Sequence, residues 1–568
     1  MDRQAPRTSS DEIDLYIRTY YSLLRSSGDV RVRAFEEAHL YSRSSLHAGA
    51  LSPVPDLAAF AYSAARLPEQ MINVNRVVLG QSLGQFEKNG LPVGEWETVK
   101  TRGRRRPLRW DGAQTLAMFV ASASDIDDLV PIVTAYQIEW NKLRACIEPV
   151  DLATASDEDL AAWMGIDAAQ GAAAGLAPLT AALGPDWKAT LGHIQRHECD
   201  LTLRLLDGSF REYQRSAQTW WRAIEPHYRS GGHERPIYFV SSNSHSLANL
   251  CGGYVTRRKD AIVEMVHRTN PEGVAAHYDR AMAAGDIGAA TNILYYALRA
   301  YIHEPAAGQS RIDEVRACDA DSGFHSIASP GRIDVDAQVI ELARLVPELL
   351  DERVRVPGIE KLRQSEALVV NIDYPLGMAA YHHLAAIAGG VHEILGVYIM
   401  GKAATLNGRV GDVMIAKVVH DVHSANTYLF KNAFSTAQVQ PYMRHGTVLD
   451  NQKALTVRSA FLQNREYMDG FYRDGYTVME MEAGPYLSAV YETRAPQRHP
   501  RDEIVNLGDA VDFELGLLHY ASDTPYSRRQ SLLSKSLSFF GVESTYACAC
   551  AIARRIFSRE IERLGAQS

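Results

Sequence analysis

Two strand ends carry the side chains best suited to chemistry. In Tyr476-Thr477-Val478-Met479-Glu480-Met481-Glu482-Ala483 a short apolar run ends in two carboxylates that flank a methionine, and small residues follow that open a helix. A carboxylate at the C-terminal end of a strand is well placed for a ligand, because open α/β sheets bind ligands beyond that edge. The same spacing also suits two solvated glutamates. Residues 515–523 form a second apolar run that delivers Ser522 and Asp523 at its end. There an aspartate either faces a cleft or caps the next helix. Residues 236–241 read as a strand, and Ser242-Asn243-Ser244-His245-Ser246 leads from it into a helical pattern. Strand, small polar loop and helix are the parts of an anion-binding turn, in which backbone N–H groups at a helix start face the ligand. Asn243 and His245 stand at the mouth of that turn; a capped helix with no ligand fits equally well.

Two further charged clusters read as structural. Asp125, Asp127 and Asp128 follow Ser122 at the start of a helical pattern. Carboxylates in a first helical turn are favoured by the helix dipole, which outweighs a metal-site reading. Lys100, Arg102, Arg104, Arg105, Arg106 and Arg109 lie in one short stretch. That stretch either grips a phosphate or an acidic partner, or forms a solvated connection; the solvated connection is the simpler reading.

A chain of 568 residues exceeds one ordinary core, so two or three domains are expected. At 46% hydrophobic and 22% charged residues its composition is that of a globular protein. A net charge of −9 argues against general nucleic-acid binding. No apolar run reaches the roughly 18 residues of a membrane span, and residues 1–6 lack the apolar segment of a signal peptide. The six cysteines are scattered without a Cys-x-x-Cys pair, which suits reduced thiols in a cytoplasmic setting and offers no zinc site.

Residues 1–230 are expected to form a mainly helical N-terminal region. Residues 11–25 show helical spacing of Ile13, Tyr16, Ile17, Tyr20, Leu23 and Leu24. Residues 151–190 are rich in alanine and glycine and mark a boundary or a loose helical insert. Residues 235–365 read as one strand followed by helical connecting segments, including a helix over 336–350 and a polar loop over 319–331. From residue 366 to 568 strands alternate with helices, which predicts an α/β domain with a largely parallel or mixed sheet flanked by helices. Strands are expected over 368–372, 394–400, 410–415, 476–479 and 515–521, and helices over 379–388 and 532–555.

This C-terminal part resembles the purine nucleoside phosphorylase and nucleosidase superfamily. The resemblance rests on Glu480-Met481-Glu482-Ala483 after a strand, on Gly401-Lys402-Ala403-Ala404 followed by Gly411-Asp412-Val413-Met414-Ile415, and on Ser522-Asp523 followed by Arg529-Gln530, all in family order. It implies that Met481 packs on a ribose, that Glu482 accepts hydrogen bonds from ribose hydroxyls beside Glu480, and that Phe461 stacks on the nucleobase. It implies that Asp523 is the general acid, next to Ser522, with Arg529 controlling its engagement. Gly401, Lys402 and His245 are the implied phosphate-binding residues. Lys402 departs from the family's usual serine, and Ala404 from its glycine; a lysine meets an anion with a full charge in place of a hydroxyl. The long N-terminal extension is similar in layout to that of AMP nucleosidases.

The reaction so implied is cleavage of the N-glycosidic bond of a purine nucleoside or nucleotide by phosphate or water. It needs an acid to neutralise the leaving base and a carboxylate to stabilise the oxocarbenium-like sugar. It calls for no metal and no cofactor, with phosphate as a co-substrate in the phosphorylase form. A cytoplasmic homo-oligomer with no membrane or nucleic-acid partner is the corresponding expectation. The rival reading is a non-catalytic nucleoside- or nucleotide-binding sensor on the same fold, suggested by the altered Gly401-Lys402-Ala403-Ala404 segment.

Overall fold

The computed structural model describes all residues except 1–10, 27, 104–105, 153, 168, 170, 230–232, 306, 331–332, 496–497, 509–510, 525–538 and 568. The expected first helix is present as Asp11–Ser26, and it buries Ile13, Tyr16, Ile17, Tyr20 and Leu24 on one face. The helix Ala123–Ile147 starts at Ser122 through a reciprocal cap with Asp125. Such a cap satisfies two amides that the helix itself leaves unpaired.

Helices dominate the N-terminal region, but they pack on a six-stranded sheet that the helical pattern did not suggest. Its strands are β1 (Val30–Arg31), β2 (Arg76–Gly80), β3 (Glu97–Val99), β4 (Leu108–Trp110), β5 (Thr115–Phe119) and β6 (Thr202–Leu205), in the order β1-β6-β2-β5-β4-β3. Strand β2 runs parallel to both β5 and β6. The basic stretch is therefore partly sheet: Arg109 sits in β4 opposite Thr98.

The second sheet has eleven strands: β7 (Ile237–Ser242), β8 (Phe324–Ile327), β9 (Ala337–Glu341), β10 (Leu368–Asp373), β11 (Ile394–Thr405), β12 (Val413–Asp421), β13 (Asn426–Leu429), β14 (Val448–Thr456), β15 (Tyr476–Glu480), β16 (Ile504–Asn506) and β17 (Glu514–Asp523). Pairings β11–β15, β15–β14, β14–β12, β12–β17 and β17–β11 close a ring. From that ring β7, β10, β9 and β8 continue as an open wing. The sheet is mixed, with β7, β10 and β17 parallel to their neighbours β7 or β11 and β9 antiparallel to β10.

Alternation along the strands divides the core. Tyr238 and Val240 of β7 join the cluster built with the helices Ile287–Ile302 and Phe539–Gln567. Ile237 and Phe239 join the one built with Phe210–Tyr228, Ala379–Ala388 and Ala483–Arg494. A strand covered on both faces needs a continuous apolar run, which is what residues 237–240 supply.

Three expectations fail here. Residues 336–350 form β9 and short 3₁₀ turns, not a helix. The supposed loop over 319–331 holds the end of the helix Gly308–Asp321 and β8. Strand β11 runs on to Thr405, so Gly401 to Ala404 are strand residues and not a turn. No described helix is long and apolar enough to cross a membrane.

Candidate functional site

A cleft of about 2140 Å³ opens where the C-terminal ends of β7, β10, β11, β15 and β17 approach the N-terminal region. Asp523 is the last residue of β17 and pairs with Ala404 of β11, directly after an irregularity in register between Ala403 and Ala404. Such bulges re-aim neighbouring side chains. Asp523 is 8% exposed. Its Oδ1 accepts the Thr524 N–H at 2.8 Å. Burial raises its pKa to about 6, against the smaller opposing effect of that bond. Ser522 and Thr524 line the same cleft.

Glu480, Met481 and Glu482 come together at the end of β15, all on the cleft wall. Their roles separate. Glu480 Oε2 accepts the N–H groups of Glu482 (2.7 Å) and Ala483 (2.6 Å), and Oε1 takes the Thr456 hydroxyl. Glu480 thus caps the helix Ala483–Arg494 from the strand before it. Burial, and then the charge of Glu482, push its pKa up to about 8. His519 Nε2 lies 3.9 Å from Glu480 Oε2. Burial lowers the His519 pKa to about 4, so the imidazole is neutral. Glu482, at the cap position, is half-buried and accepts the Gly377 N–H at 3.3 Å. Two glycines permit this packing. A Cβ on Gly484 would stand 2.5 Å from Asp421 Cβ, and one on Gly377, whose φ is +52°, would stand 2.3 Å from Ser124 Oγ.

Phe461 does not stand on the cleft wall. It is 1% exposed in the N-terminal core, with its ring 5.2 Å from Tyr62, 5.9 Å from His39 and 6.4 Å from His47. Phe461 is thus a core residue and not a base-stacking one: the segment around it fastens one half of the chain to the other. Gly401 lies inside β11 opposite His519 and is not among the cleft residues.

The turn after β7 does not hold its amides open for an anion. Asn243 Oδ1 accepts the N–H groups of His245 (3.1 Å) and Ser246 (2.7 Å), and Asp373 Oδ1 accepts the Ser244 N–H at 2.7 Å. These three amides are engaged within the protein. His245 keeps an exposed place on the cleft. Lys402 also lines it, opposite Tyr520, and has no ion pair among the described residues. Its ammonium is open to the cleft, yet the surrounding protein desolvates it and, with the charge of Arg66, lowers its pKa. Arg529 lies outside the described residues.

Sequence reading missed Arg66, Asp373, Tyr374 and Tyr520, which all line the cleft. The Tyr374 and Tyr520 hydroxyls are 3.2 Å apart. Asp373 ends β10 and Tyr374 follows it, so both were findable by the rule that pointed to Glu482. Arg66 had no signal, since it follows an ordinary N-terminal helix, Leu57–Ala64.

The acidic cluster of the N-terminal region is consumed internally. Arg106 reaches Asp125 Oδ1 at 2.7 Å and Asp128 Oδ2 at 3.3 Å, and Tyr20 donates to Asp127 Oδ1 at 2.5 Å. Among the described residues no group of histidine, cysteine and carboxylate side chains is arranged to hold a metal ion.

No curated protein matches the sequence. Among solved structures, a putative methylthioadenosine nucleosidase from Weissella paramesenteroides is similar at 13% identity and TM-score 0.27, covering 42% of this chain and 91% of that one. An S-adenosylhomocysteine nucleosidase from Streptococcus pyogenes is similar at 12% identity and TM-score 0.28, over 43% and 93%. A futalosine hydrolase mutant from Helicobacter pylori is similar at 12% identity and TM-score 0.25, over 41% and 88%. The profile described as "Family of unknown function (DUF6909)" matches residues 32–558, and the chain belongs to that family.

Proposed function

We propose that the protein cleaves the N-glycosidic bond of a purine nucleoside or nucleotide, with Asp523 as general acid and Glu482 as the ribose clamp. The observation that carries this reading is Asp523 itself, a buried carboxyl on the cleft wall whose pKa is raised to about 6. An ordinary aspartate is ionised at neutral pH. Asp523 keeps a transferable proton in a fraction of molecules near pH 7, and a bound base that accepts a hydrogen bond from it favours that form further.

In the reaction the bond between the anomeric carbon and the purine nitrogen breaks and its electrons pass to the base. Asp523 gives its proton to the base, and phosphate or water attacks the anomeric carbon. Glu482, joined by Met481, faces the sugar and offsets the positive charge that develops there. Glu480 supports Glu482 by fixing the turn in which it sits.

The test is free-base release from purine nucleosides and nucleotides, with and without phosphate. Release that needs phosphate marks a phosphorylase, and release without it a hydrolase. Binding of these ligands with no release would favour the sensor reading, and no binding would remove both.

A further inference from the structure

Behind the cleft wall lies a second cluster of chemically capable side chains. Asp421 ends β12 and is 1% exposed. It accepts His423 Nδ1–H at 2.9 Å, the His423 N–H at 3.0 Å and the Ser424 hydroxyl at 2.6 Å. Burial works to raise its pKa, but the donors from His423 and Ser424 hold it below the ordinary value. An ionised carboxylate only accepts, so the ring carries its proton on Nδ1 and offers Nε2 as an acceptor. That nitrogen lies 3.4 Å from Ser124 Oγ, near the start of the N-terminal region's helix Ala123–Ile147. Serine, histidine and aspartate in this order are the parts of a nucleophile, its base and the acid that orients it. Access rules out attack on a ligand: Ser124 is 0% exposed, and neither Ser124 nor His423 lines the cleft. The Ser124 oxygen is already engaged, accepting the Met378 N–H at 2.9 Å.

What Ser124 holds is the turn between β10 and the helix Ala379–Ala388. Tyr374, Pro375 and Leu376 of that turn line the cleft. Ser122 Oγ reaches the Leu376 carbonyl at 3.5 Å, and the Gly377 N–H donates to Glu482 Oε1 at 3.3 Å. Gly377 is thus gripped between the N-terminal region and Glu482. Its φ is +52°, and a Cβ there would stand 2.3 Å from Ser124 Oγ, so the serine packs directly on the glycine backbone. The direction of the Gly377 N–H therefore follows from where Ser124 holds the turn. Glu482 sits just after β15, where a free side chain has several torsions to settle when a ligand arrives. Ordering them costs free energy at that moment. An N–H fixed beforehand on one carboxylate oxygen removes part of that cost.

We propose that Ser124 is a positioning residue: braced by the Asp421–His423 pair, it fixes the turn at Gly377 and so orients the Glu482 carboxylate toward the sugar. This rests on the functional reading above and deepens it, because it makes the N-terminal region part of the sugar site. Ser124 acts through Gly377 and Glu482 and does not touch the ligand.

The experiment is a double-mutant cycle on the full-length protein: wild type, Ser124→Ala, Glu482→Ala and the double variant. Each is titrated calorimetrically with formycin A, formycin 5′-phosphate and adenine, and its melting temperature is followed. Formycin A is an adenosine isomer whose base is joined through carbon, so no base is released during the titration. The cycle is read on whichever of the two formycin ligands binds more tightly. Ser124→Ala is expected to weaken that ligand roughly three- to tenfold, the scale of coupled neighbours, and to leave adenine within about twofold. In the Glu482→Ala background the same change should cost less than about twofold, because no carboxylate remains to be oriented. Ser124→Thr keeps the hydroxyl and should recover part of the loss. His423→Gln should give a smaller loss of the same kind, again absent without Glu482; it carries the cycle if Ser124→Ala does not fold. An equal loss in both backgrounds, an equal loss for formycin and adenine in a folded variant, or unchanged formycin affinity overturns the inference. If the wild type binds neither formycin ligand, the functional reading and the inference fall together. If it binds one, Glu482→Ala weakens it and Ser124→Ala acts independently of Glu482, only this inference falls.

Discussion

Asp523 at the end of β17 and Asp127 at the start of the helix Ala123–Ile147 are the same residue type, buried to a similar depth, and yet their surroundings differ. Asp127 is 2% exposed and Asp523 8%. Asp127 takes the Tyr20 hydroxyl on one oxygen and has Arg458 at 3.9 Å from the other, while its neighbours Asp125 and Asp128 share Arg106. Among the described residues Asp523 accepts only the N–H of the next residue and forms no ion pair. Burial without a counter-charge raises a carboxyl's pKa, and hydrogen-bond donors oppose that rise. The number of partners, more than the depth of burial, thus distinguishes Asp127, tied to Tyr20 and Arg458, from Asp523.

The sharpest way to break that comparison is Asp523→Asn. It keeps shape and polarity but removes the transferable proton. Base release should fall about 10²–10⁴-fold, the usual worth of general acid catalysis, with the melting temperature nearly unchanged. In the wild type the acid form declines as pH rises through about 6, so kcat/KM for base release should decline with it. A nitrophenyl riboside, whose leaving group needs no proton, should lose far less. Equal losses on both substrates would make Asp523 a structural residue of the Asp127 kind.

Arg106→Met probes the other side. It leaves Asp125 and Asp128 buried without their cation, and breaking such a pair typically costs about 3–5 kcal/mol. Chemical denaturation should register that loss. A variant of unchanged stability would show that the N-terminal carboxylates are not held as the comparison requires.

How far these regions were legible in the sequence follows the same division. Long apolar runs that must pair into a sheet gave themselves away: β7, β10 and β17 were expected within a residue or two of where they lie. The N-terminal strands were not, because they are two to five residues long, as with Val30–Arg31 and Leu108–Trp110. Residues 336–350 misled because Val339, Ile340, Leu342 and Leu345 fit helical spacing as well as strand followed by turn. The strand ends bearing Glu482 and Asp523 were readable, since a carboxylate at such an end has a physical consequence. Phe461 was not, because an aromatic at a family-like interval is equally a core residue. Lys402 looked like part of a turn, but pairing with β17 carries the strand past it.

Glu482→Ala is the next step down in size. Loss of one charge-assisted contact with a sugar hydroxyl costs about 1.5–3 kcal/mol, some ten- to hundredfold in nucleoside binding. Free-base binding and stability should change little. Retention of full nucleoside affinity in the folded variant would end the clamp assignment.

The smallest effect at pH 5, and the finest test, is Glu480→Gln. Glu480 sits between the two types: it is buried like Asp523, but three donors from Thr456, Glu482 and Ala483 surround it. Burial still wins and its pKa stands near 8, well above the value of an unfolded glutamate. A carboxyl with a raised folded pKa contributes stability that is fully present below the unfolded pKa, near 4.5, and is lost as pH rises through about 8. Glutamine has no such proton to lose. The wild type should therefore lose stability relative to Glu480→Gln between those two pH values, while near pH 5 the variant should be less stable by about 1 kcal/mol, one net hydrogen bond. Denaturation curves at pH 5, 7 and 8.5 for both proteins measure the difference. A gap that stays constant across that range would mean that the donors hold Glu480 ionised throughout, and that it belongs with Asp127 as a structural carboxylate.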